Sequence, residues 1–248
     1  MWVGVNLIRL IFDNKPLMVD SETICVMIFD IIRSSEIQIK LRSEIQLFLE
    51  NFLLNINEKF DDYIFSKFMI TLGDEFEGAL VDQSISFDIY LYGKKELNIP
   101  VRCGIGIGQI IPMINREKAR QLRVVELDGP AFHRARKALI NAEKNNLELV
   151  INTGNINFDK NFNAISKLLQ TIKSKWTNRQ KEYINFIRQY KNEINISDSA
   201  KHFNVTKQAV SKALISANFY TVIEAENHLK KLLSQPSEVD FMESILKG

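Results

Sequence analysis

The first two thirds of the chain alternate strand-length apolar runs with longer segments of helical periodicity. Residues 24 to 32 predict a buried strand, and residues 36 to 60 predict a helix because apolar side chains recur there at close to helical spacing. Residues 64 to 72 and 76 to 81 are two further apolar runs, joined through Gly73-Asp74-Glu75. A turn of this kind between two apolar runs is typical of a β-hairpin, here with acids at its tip.

The next segments continue the alternation. A helix is predicted over about 83 to 93, and the Gly-rich, alternating segment Pro100 to Ile111 predicts a strand. Pro130 precedes a helix predicted over Ala131 to Glu143, since the first turn of a helix accepts proline. The order β-α-β-β-α-β-α favours an α+β fold with a ferredoxin-like or palm sheet. Its helices would pack on one face and leave the other free for a ligand.

An asparagine-rich sequence precedes a helical C-terminal part. The run from Asn145 to Asn163 predicts turns, and an amphipathic helix is predicted from Phe162 to Lys175. We therefore expect a domain boundary near residue 170. The expected division is a palm-type sheet domain over 23–170, a helix-turn-helix domain over 171–233 and a tail over 234–248.

The C-terminal part has the spacing of a helix-turn-helix. A first helix is predicted over Asn178 to Tyr190. Ser197 can cap a short second helix that runs through Phe203, and Asn204 suits the turn that follows. Thr206 can cap a third helix that ends at about Ala217. Helical spacing directs one set of side chains inward: Ala200, Phe203, Val205, Val210, Ala213 and Leu214. The candidate DNA-contacting residues are the cap Thr206 and an outward stripe of Lys207, Gln208, Ser211 and Lys212.

Positive charge is concentrated in the same part of the chain. Residues 171 to 217 carry nine Lys and Arg against three acids, although the net charge of the whole chain is only +2. A positively charged face of this kind favours binding to DNA phosphates. An ordinary helical bundle with a solvated polar surface is the alternative, and some modules of this fold only dimerise.

Length and composition exclude several classes of protein. The 248 residues are 46% hydrophobic, which is enough for a buried core, and no stretch approaches the roughly 20 uncharged apolar residues of a membrane span. The apolar opening Met1 to Phe12 is short, carries Arg9 and lacks a small-residue cleavage site, so we expect a cytoplasmic protein. Cys25 and Cys103 lie in apolar runs and are expected to be reduced core thiols, with one disulfide as the alternative.

Acidic residues end one of the buried runs and mark the hairpin turn. Asp30 follows the run Ile24 to Phe29, and Asp74 and Glu75 lie at the turn. A carboxylate at the end of a buried strand needs a partner, and a divalent cation is a partner that two converging acids can share. Metal-dependent nucleotide chemistry is therefore the first hypothesis. The alternative is that each acid caps a turn or pairs with a nearby Lys or Arg.

Three glycines, Gly104, Gly106 and Gly108, alternate with isoleucines at strand period. No helix opens from the third glycine, so the run predicts close backbone packing against a neighbouring strand or ligand, and not a dinucleotide-binding loop. Arg102 precedes the run and is a candidate nucleotide-binding residue, with a solvated or ion-paired arginine as the alternative.

Four segments of the chain, in order, resemble the SatD family of bacterial proteins: Phe29–Ile32, Thr71–Phe76, Arg102–Gly108 and Asp128–Arg136. The resemblance runs from about Thr23 to the C-terminus and leaves residues 1–22 as a family-atypical segment. Either an alternative start at Met18 or an additional N-terminal strand would account for that segment.

More distantly, these segments are similar to class III nucleotidyl cyclases and, at the hairpin turn, to the GGDEF diguanylate cyclases. The resemblance implies Asp30 and Asp74 as metal ligands, with Glu75 and a backbone carbonyl near Ile31 completing the set. It also implies Mg²⁺ or Mn²⁺, a purine nucleoside triphosphate and a homodimer. Two such cations hold the triphosphate, lower the pKa of an attacking hydroxyl and neutralise the leaving group.

The chain departs from the cyclase pattern on the helix after the Asp-x-x-Gly region. Cyclases carry there an asparagine and, four residues later, an arginine that stabilise the ribose and the transition-state phosphate. When this chain is aligned with the cyclase pattern at Gly129 and Ala135, the positions of that asparagine and arginine hold His133 and Lys137. These two are the candidate catalytic residues. Asp128 and Gly129 are candidate nucleotide-binding residues by the same resemblance. A lysine lacks the planar fork of arginine, which argues against efficient cyclisation, and a surface His and Lys is the alternative.

Two functions follow from the sequence. In the first, the sheet domain binds a purine nucleoside triphosphate with Mg²⁺ or Mn²⁺ and performs nucleotidyl transfer or cyclisation. In the second, the protein is a non-catalytic DNA-binding regulator whose sheet domain senses a nucleotide or dimerises. The acid pair Asp30 and Asp74 favours the first function, whereas the replaced asparagine and arginine favour the second.

Overall fold

The structure is a computed structural model that describes residues 23–32, 39–111, 113–189 and 196–234. The predictions for residues 1–22, for Tyr190 and for the tail beyond Ser234 lie outside these ranges. None of the described helices combines the length and apolar character needed to cross a membrane.

The described residues form an α+β fold with five strands and nine α-helices. The sheet part consists of β1 (Ile24–Ile31), α1 (Ile39–Lys59), β2 (Ile64–Leu72), β3 (Glu75–Leu80), α2 (Ser86–Leu97), β4 (Val101–Gly108), α3 (Arg116–Ala119), α4 (Pro130–Lys144), β5 (Leu149–Asn152) and α5 (Ile156–Ser174). The helical part consists of α6 (Asn178–Gln189), α7 (Ile196–His202), α8 (Lys207–Ser216) and α9 (Phe219–Leu233). The predicted order is confirmed through α4, apart from the short helix α3.

The five strands form one mixed sheet in the order β2-β3-β1-β4-β5. The central strand β1 is antiparallel to both β3 and β4, whereas β4 and β5 run parallel. A central strand is covered on both faces, and this agrees with the nearly continuous apolar run Ile24 to Phe29, whose six residues are all buried.

The asparagine-rich run was wrongly interpreted as turns alone, because it contains β5 and the first turns of α5. Only Leu149, Val150 and Ile151 form the apolar part of this strand, too short a run to predict a strand by periodicity. The flanking asparagines have specific roles. Asn146 adopts a left-handed backbone conformation with φ of 53°, and the Asn155 side chain caps α5 by accepting hydrogen bonds from two backbone N–H groups.

Polar side chains of α5 cover the outer edge of β5. The Asn163 side chain accepts from the Ile151 N–H at 2.8 Å and donates to the Ile151 carbonyl at 2.9 Å. Ser166 and Gln170, further along the same helix face, bond to other backbone groups at or next to the strand. These bonds satisfy the edge of the sheet without another strand.

Helices cover both faces of the sheet, so the prediction of one free face is wrong. One face packs in a core that includes Met27, Phe29 and Phe76 with helices α1, α2, α5 and α9. Helix α4 lies across β4 on the opposite face, next to β1. The glycines of β4 permit this approach, because a Cβ at Gly106 would lie only 2.2 Å from backbone atoms of α4. The predicted close packing is present, and its partner is a helix.

The helices after residue 177 have a core of their own. All six side chains predicted to face inward lie in this core or pack against it. The Thr206 hydroxyl caps α8 by accepting from the Ala209 N–H at 3.1 Å, and Asn204 lies in the turn with φ of 51°, as predicted. Helix α7 begins at Ile196, so Ser197 lies inside the helix and its predicted role as the cap is wrong. The turn and the cap of α8 have the predicted local geometry.

Helix α9 packs against both cores. Phe219 belongs to the core of the helical part, whereas Val222, Leu229 and Leu233 belong to the core under the sheet. The predicted boundary near residue 170 falls inside α5, whose side chain Leu169 also lies in the sheet core. The division into two domains stays a prediction, and α9 is the element that joins them.

Candidate functional site

Three charged residues from adjacent strands meet at one end of the sheet. Asp30 near the end of β1 lies directly opposite Glu75 of β3 on one side and Arg102 of β4 on the other. Because side chains alternate along a strand, these residues share the face on which α4 packs, together with Glu77 two positions further along β3. The register thus sets Asp30 beside Glu75, whereas the predicted approach of the Asp74 carboxylate to Asp30 stays a prediction.

The hairpin turn lies beside the end of β1. The Ile31 N–H donates a long hydrogen bond of 3.4 Å to the Asp74 carbonyl. The candidate metal-binding residues Asp30, Ile31, Asp74 and Glu75 are thus brought into one region by the register of the central strands. The antiparallel pairing of β1 with β3 produces this arrangement, since it sets the C-terminal end of one strand beside the N-terminal end of the other.

Two arginines lie among the acids. Arg102 Nε is 3.4 Å from Asp30 Oδ2, and Arg102 Nη1 is 3.4 Å from Glu143 Oε1 on α4. Arg136, also on α4, donates to Glu75 Oε2 at 2.6 Å and lies 3.8 Å from Glu77 Oε2. We call Asp30, Glu75, Glu77 and Glu143 the acidic cluster. The alternative in which strand-end acids pair with arginines is therefore present in this structure.

The acidic cluster favours protonation of two of its members. The pKa of Asp30 is raised to about 6, mainly by burial. Arg102 opposes this rise, whereas the nearby acids Asp74, Glu75 and Glu143 add to it. Burial also raises the pKa of Glu77, with Arg136 opposing and Glu75 adding to the rise. Among the described residues, the four acids of the cluster face two arginines, so their negative charge exceeds the positive charge.

The donor types of this region suit Mg²⁺ or Mn²⁺, which prefer carboxylate and carbonyl oxygens. Within the described ranges, however, no group of three or more His, Cys, Asp or Glu side chains is arranged as a metal-binding site. The metal-binding roles of Asp30, Ile31, Asp74 and Glu75 stay predictions. Because Arg102 lies beside the Asp30 carboxylate, a cation at Asp30 requires that this ion pair rearrange.

The SatD family model matches residues 24–233, which is most of the chain and includes every element from β1 to α9. The chain belongs to the SatD family. No curated protein matches the chain significantly.

The candidate catalytic residues of this SatD family protein lie on the exposed side of α4. His133 Nε2 is 3.4 Å from Asp128 Oδ1, and the same oxygen accepts from the Gly129 N–H at 2.7 Å. Lys137, one helical turn further, is exposed. In the described part of the chain, neither side chain forms a hydrogen bond or ion pair with the acidic cluster. His133, Asp128 and Gly129 thus form a separate local contact at the start of α4.

The sequence analysis missed three side chains of the site in this SatD family protein: Glu77, Arg136 and Glu143. Glu77 was detectable, because strand alternation directs it to the same side as Glu75. Arg136 lies within a segment that resembles the SatD family. The comparison with the cyclases, however, placed Lys137 and not Arg136 at the position of the catalytic arginine. The orientation of α4 decides that Arg136 reaches Glu75, and no local pattern predicts that orientation.

The proposed DNA-contacting surface of this SatD family protein is accessible. Lys207, Gln208 and Lys212 on α8 are exposed, and Ser211 is partly buried. Val210 and Leu214 on the opposite side of the helix are fully buried, which fixes the orientation of α8. The outward stripe predicted from the sequence is therefore present as a polar, positively charged surface.

Proposed function

We propose that the sheet part of this SatD family protein binds a purine nucleoside triphosphate together with Mg²⁺ or Mn²⁺ at the acidic cluster. The observation that carries the proposal is the convergence of Asp30, Glu75 and the Asp74 turn at one end of the sheet, next to Arg102 and Arg136. Carboxylates for a cation and arginines for phosphates are the two donor sets that a metal–triphosphate complex requires.

The arrangement of strands also supports the proposal. The order β2-β3-β1-β4, with antiparallel neighbours, is the order of a ferredoxin-like sheet, as expected for a palm or cyclase-like domain. In such a domain Asp30 and Asp74 hold the cation, with Glu75 and the backbone near Ile31 as further ligands. Arg102 binds the nucleotide together with Asp128 and Gly129, which lie directly before α4, and His133 and Lys137 lie on that helix.

The reaction class that fits this site is nucleotidyl transfer or cyclisation. A hydroxyl oxygen attacks the α-phosphorus, its proton passes to a base, and pyrophosphate leaves with the electrons of the broken P–O bond. A cation held by Asp30 and Asp74 would lower the pKa of the hydroxyl and neutralise the leaving group. Arg136, the arginine of α4 that reaches Glu75, supplies positive charge that the sequence comparison assigned to Lys137.

Thermal denaturation of the purified protein tests the proposal. The midpoint is measured with Mn²⁺ alone, with each nucleoside triphosphate alone, and with both. An upward shift of several degrees that requires both metal and a purine triphosphate supports the site, and product analysis then decides between an enzyme and a sensor. An unchanged midpoint with every nucleotide, confirmed by calorimetric titration, would overturn the proposal.

A second candidate function is DNA-binding regulation without catalysis, in which the sheet part senses a nucleotide or dimerises. The exposed Lys207, Gln208 and Lys212 on α8, with Thr206 as the cap, favour it as a helix-turn-helix surface. This function would be favoured over the first if the protein binds DNA through these lysines and if no nucleotide with metal shifts the midpoint of thermal denaturation. The cyclase resemblance further leads us to propose a homodimer, which light scattering of the purified protein tests.

A further inference from the structure

Arg102 is buried without adequate hydrogen-bond partners. The residue is 9% exposed, and its Nε and Nη1 atoms have no hydrogen-bond acceptor among the residues that the structure describes. Both atoms lie 3.4 Å from carboxylate oxygens, whereas charge-assisted hydrogen bonds between guanidinium and carboxylate measure about 2.7–2.9 Å. Buried donors are nearly always paired, so this guanidinium is held by charge and lacks the acceptor that would complete its hydrogen bonds.

Each arginine of the site is shared between two acids. Arg102 lies between Asp30 and Glu143, and Arg136 lies between Glu75 and Glu77. The two guanidinium groups thus supply the positive charge among four carboxylates, whose negative charge is in excess. They act there as counter-ions in place of a metal, since each lies next to carboxylates that a divalent cation would bind.

We propose that Arg102 competes with the divalent cation for Asp30 and that the nucleotide's phosphates resolve this competition by taking over the guanidinium. This inference rests on the proposed function and concerns its regulation. A phosphate group offers several oxygens to the two unpaired N–H donors of Arg102. Once Arg102 bonds to phosphate, the Asp30 carboxylate is available to the cation. Metal and triphosphate therefore bind cooperatively, and metal alone binds weakly.

The substitution Arg102→Gln separates the two roles of the arginine. Removing the competing charge is expected to tighten binding of Mn²⁺ alone by about five-fold or more, in the range of typical coupling between sites. The same change is expected to weaken binding of the Mn²⁺–triphosphate complex by about ten-fold, because the phosphate donors are lost. A residue with only a structural role would weaken both binding steps, so effects in opposite directions are diagnostic.

The variants are compared by calorimetric titration with Mn²⁺ alone and with the Mn²⁺ complex of ATP or GTP. Arg102→Lys retains the charge and is expected to keep Mn²⁺ binding as weak as in the original protein. Arg123→Gln, an exposed arginine paired with Glu126, is the matched control for loss of one positive charge. If Arg102→Gln does not fold, Arg136→Gln is used, since the Arg136 side chain is 41% exposed and is expected to show the same opposite effects.

The outcomes distinguish this inference from the function on which it rests. If the original protein binds no metal–triphosphate complex, the proposed function fails and this inference fails with it. If the complex binds, but Arg102→Gln, or Arg136→Gln where Arg102→Gln does not fold, binds Mn²⁺ alone no more tightly than the original protein, the inference is wrong while the function stands. The same conclusion follows if these substitutions leave the affinity for the complex unchanged.

Discussion

Asp30 of β1 and Glu75 of β3 are direct cross-strand partners, and their side chains lie on the same face of the sheet. Like charges in this position repel each other, so the pair is stable only with positive charge nearby. Arg102 and Arg136 supply that charge. This relationship gives the protein a concentrated acidic site where antiparallel strands meet the hairpin turn.

The substitution Asp30→Asn tests the candidate metal ligand. It is expected to abolish the Mn²⁺-dependent thermal shift with triphosphate, because the amide cannot replace a carboxylate as a ligand of a hard cation. Burial already disfavours the charge of Asp30, so the midpoint without ligand should stay unchanged or rise by about 2–4 °C, equivalent to about 1 kcal/mol. Glu58→Gln, on an exposed part of α1, is the control. A raised midpoint with unchanged nucleotide binding would identify Asp30 as a structural acid.

Acid stability depends on Glu226 of α9. Lys173 Nζ of α5 lies 2.5 Å from Glu226 Oε1, and Arg188 of α6 donates to the same carboxylate at 3.0 Å. Burial disfavours both charges. It lowers the pKa of Lys173. Burial alone would raise the pKa of Glu226, but the positive charges of Lys173 and Arg188 outweigh burial, and the pKa of Glu226 is lowered. Because the folded-state pKa is lowered, the carboxylate stabilises the fold above its ordinary pKa of 4.5 and loses this effect as the pH falls through the folded-state value.

Glu226→Gln is therefore expected to lower the free energy of unfolding by about 2–3 kcal/mol at pH 7, since it leaves two partly buried cations without their buried carboxylate. The difference from the original protein should shrink on acidification below pH 4.5, as followed by urea denaturation across the pH range. Glu224→Gln, an exposed acid on the same helix, is the control. A difference that is independent of pH would contradict the assignment.

Gly106→Ala tests the contact between β4 and α4. The added Cβ would lie 2.2 Å from the Ala131 carbonyl oxygen and the Ala135 nitrogen, so the helix must shift. We expect the free energy of unfolding to fall by about 3 kcal/mol or more. Gly93→Ala is the matched control, because its Cβ would meet only Phe29 and Phe52 at ordinary contact distance and alanine favours a helix by about 1 kcal/mol. Equal stability of the two variants in chemical denaturation would argue against the close approach of α4.

Asn163→Ala tests the covered edge of β5. The substitution removes two hydrogen bonds to Ile151 and leaves backbone groups unpaired, so unfolding should become easier by about 2 kcal/mol. Hydrogen exchange at the Ile151 amide should accelerate more than exchange at other strands. Asn161→Ala, exposed on the same helix, should leave both quantities unchanged. Unaltered protection of Ile151 in the Asn163 variant would show that the strand does not depend on this side chain.

Lys207→Ala combined with Lys212→Ala tests the helical surface of α8. If both lysines contact phosphates, their loss lowers DNA affinity at every salt concentration. The plot of log K against log salt also becomes less steep, by about 1.8 in the magnitude of its slope. Fluorescence anisotropy at several salt concentrations measures this slope. Lys160→Ala combined with Lys167→Ala, two exposed lysines of α5, is the charge-matched control. If these substitutions on α8 do not weaken DNA binding, the helix does not contact DNA.

The sequence predicted most elements because their patterns are local. β1, the hairpin and the helix from Pro130 follow from apolar periodicity and turn residues, and the Thr206 cap follows from side-chain chemistry. β5 escaped prediction because the three apolar residues between Glu148 and Asn152 carry no periodic signal. Its edge is satisfied by Asn163, twelve residues away, and a contact at that separation is not visible in a local window.

The sequence by itself determined most of the order of elements from β1 to α4, the acids at the end of β1 and in the hairpin, and the polar stripe on α8. These depend on properties of neighbouring residues, namely hydrophobicity, turn preference and helical spacing. Only the tertiary structure decided that α4 covers the second face of the sheet and that Arg136 and Glu143 join Asp30 and Glu75. The β4 glycines set how closely this helix approaches, and the strand register sets which charges meet. Both are contacts between residues far apart in the chain.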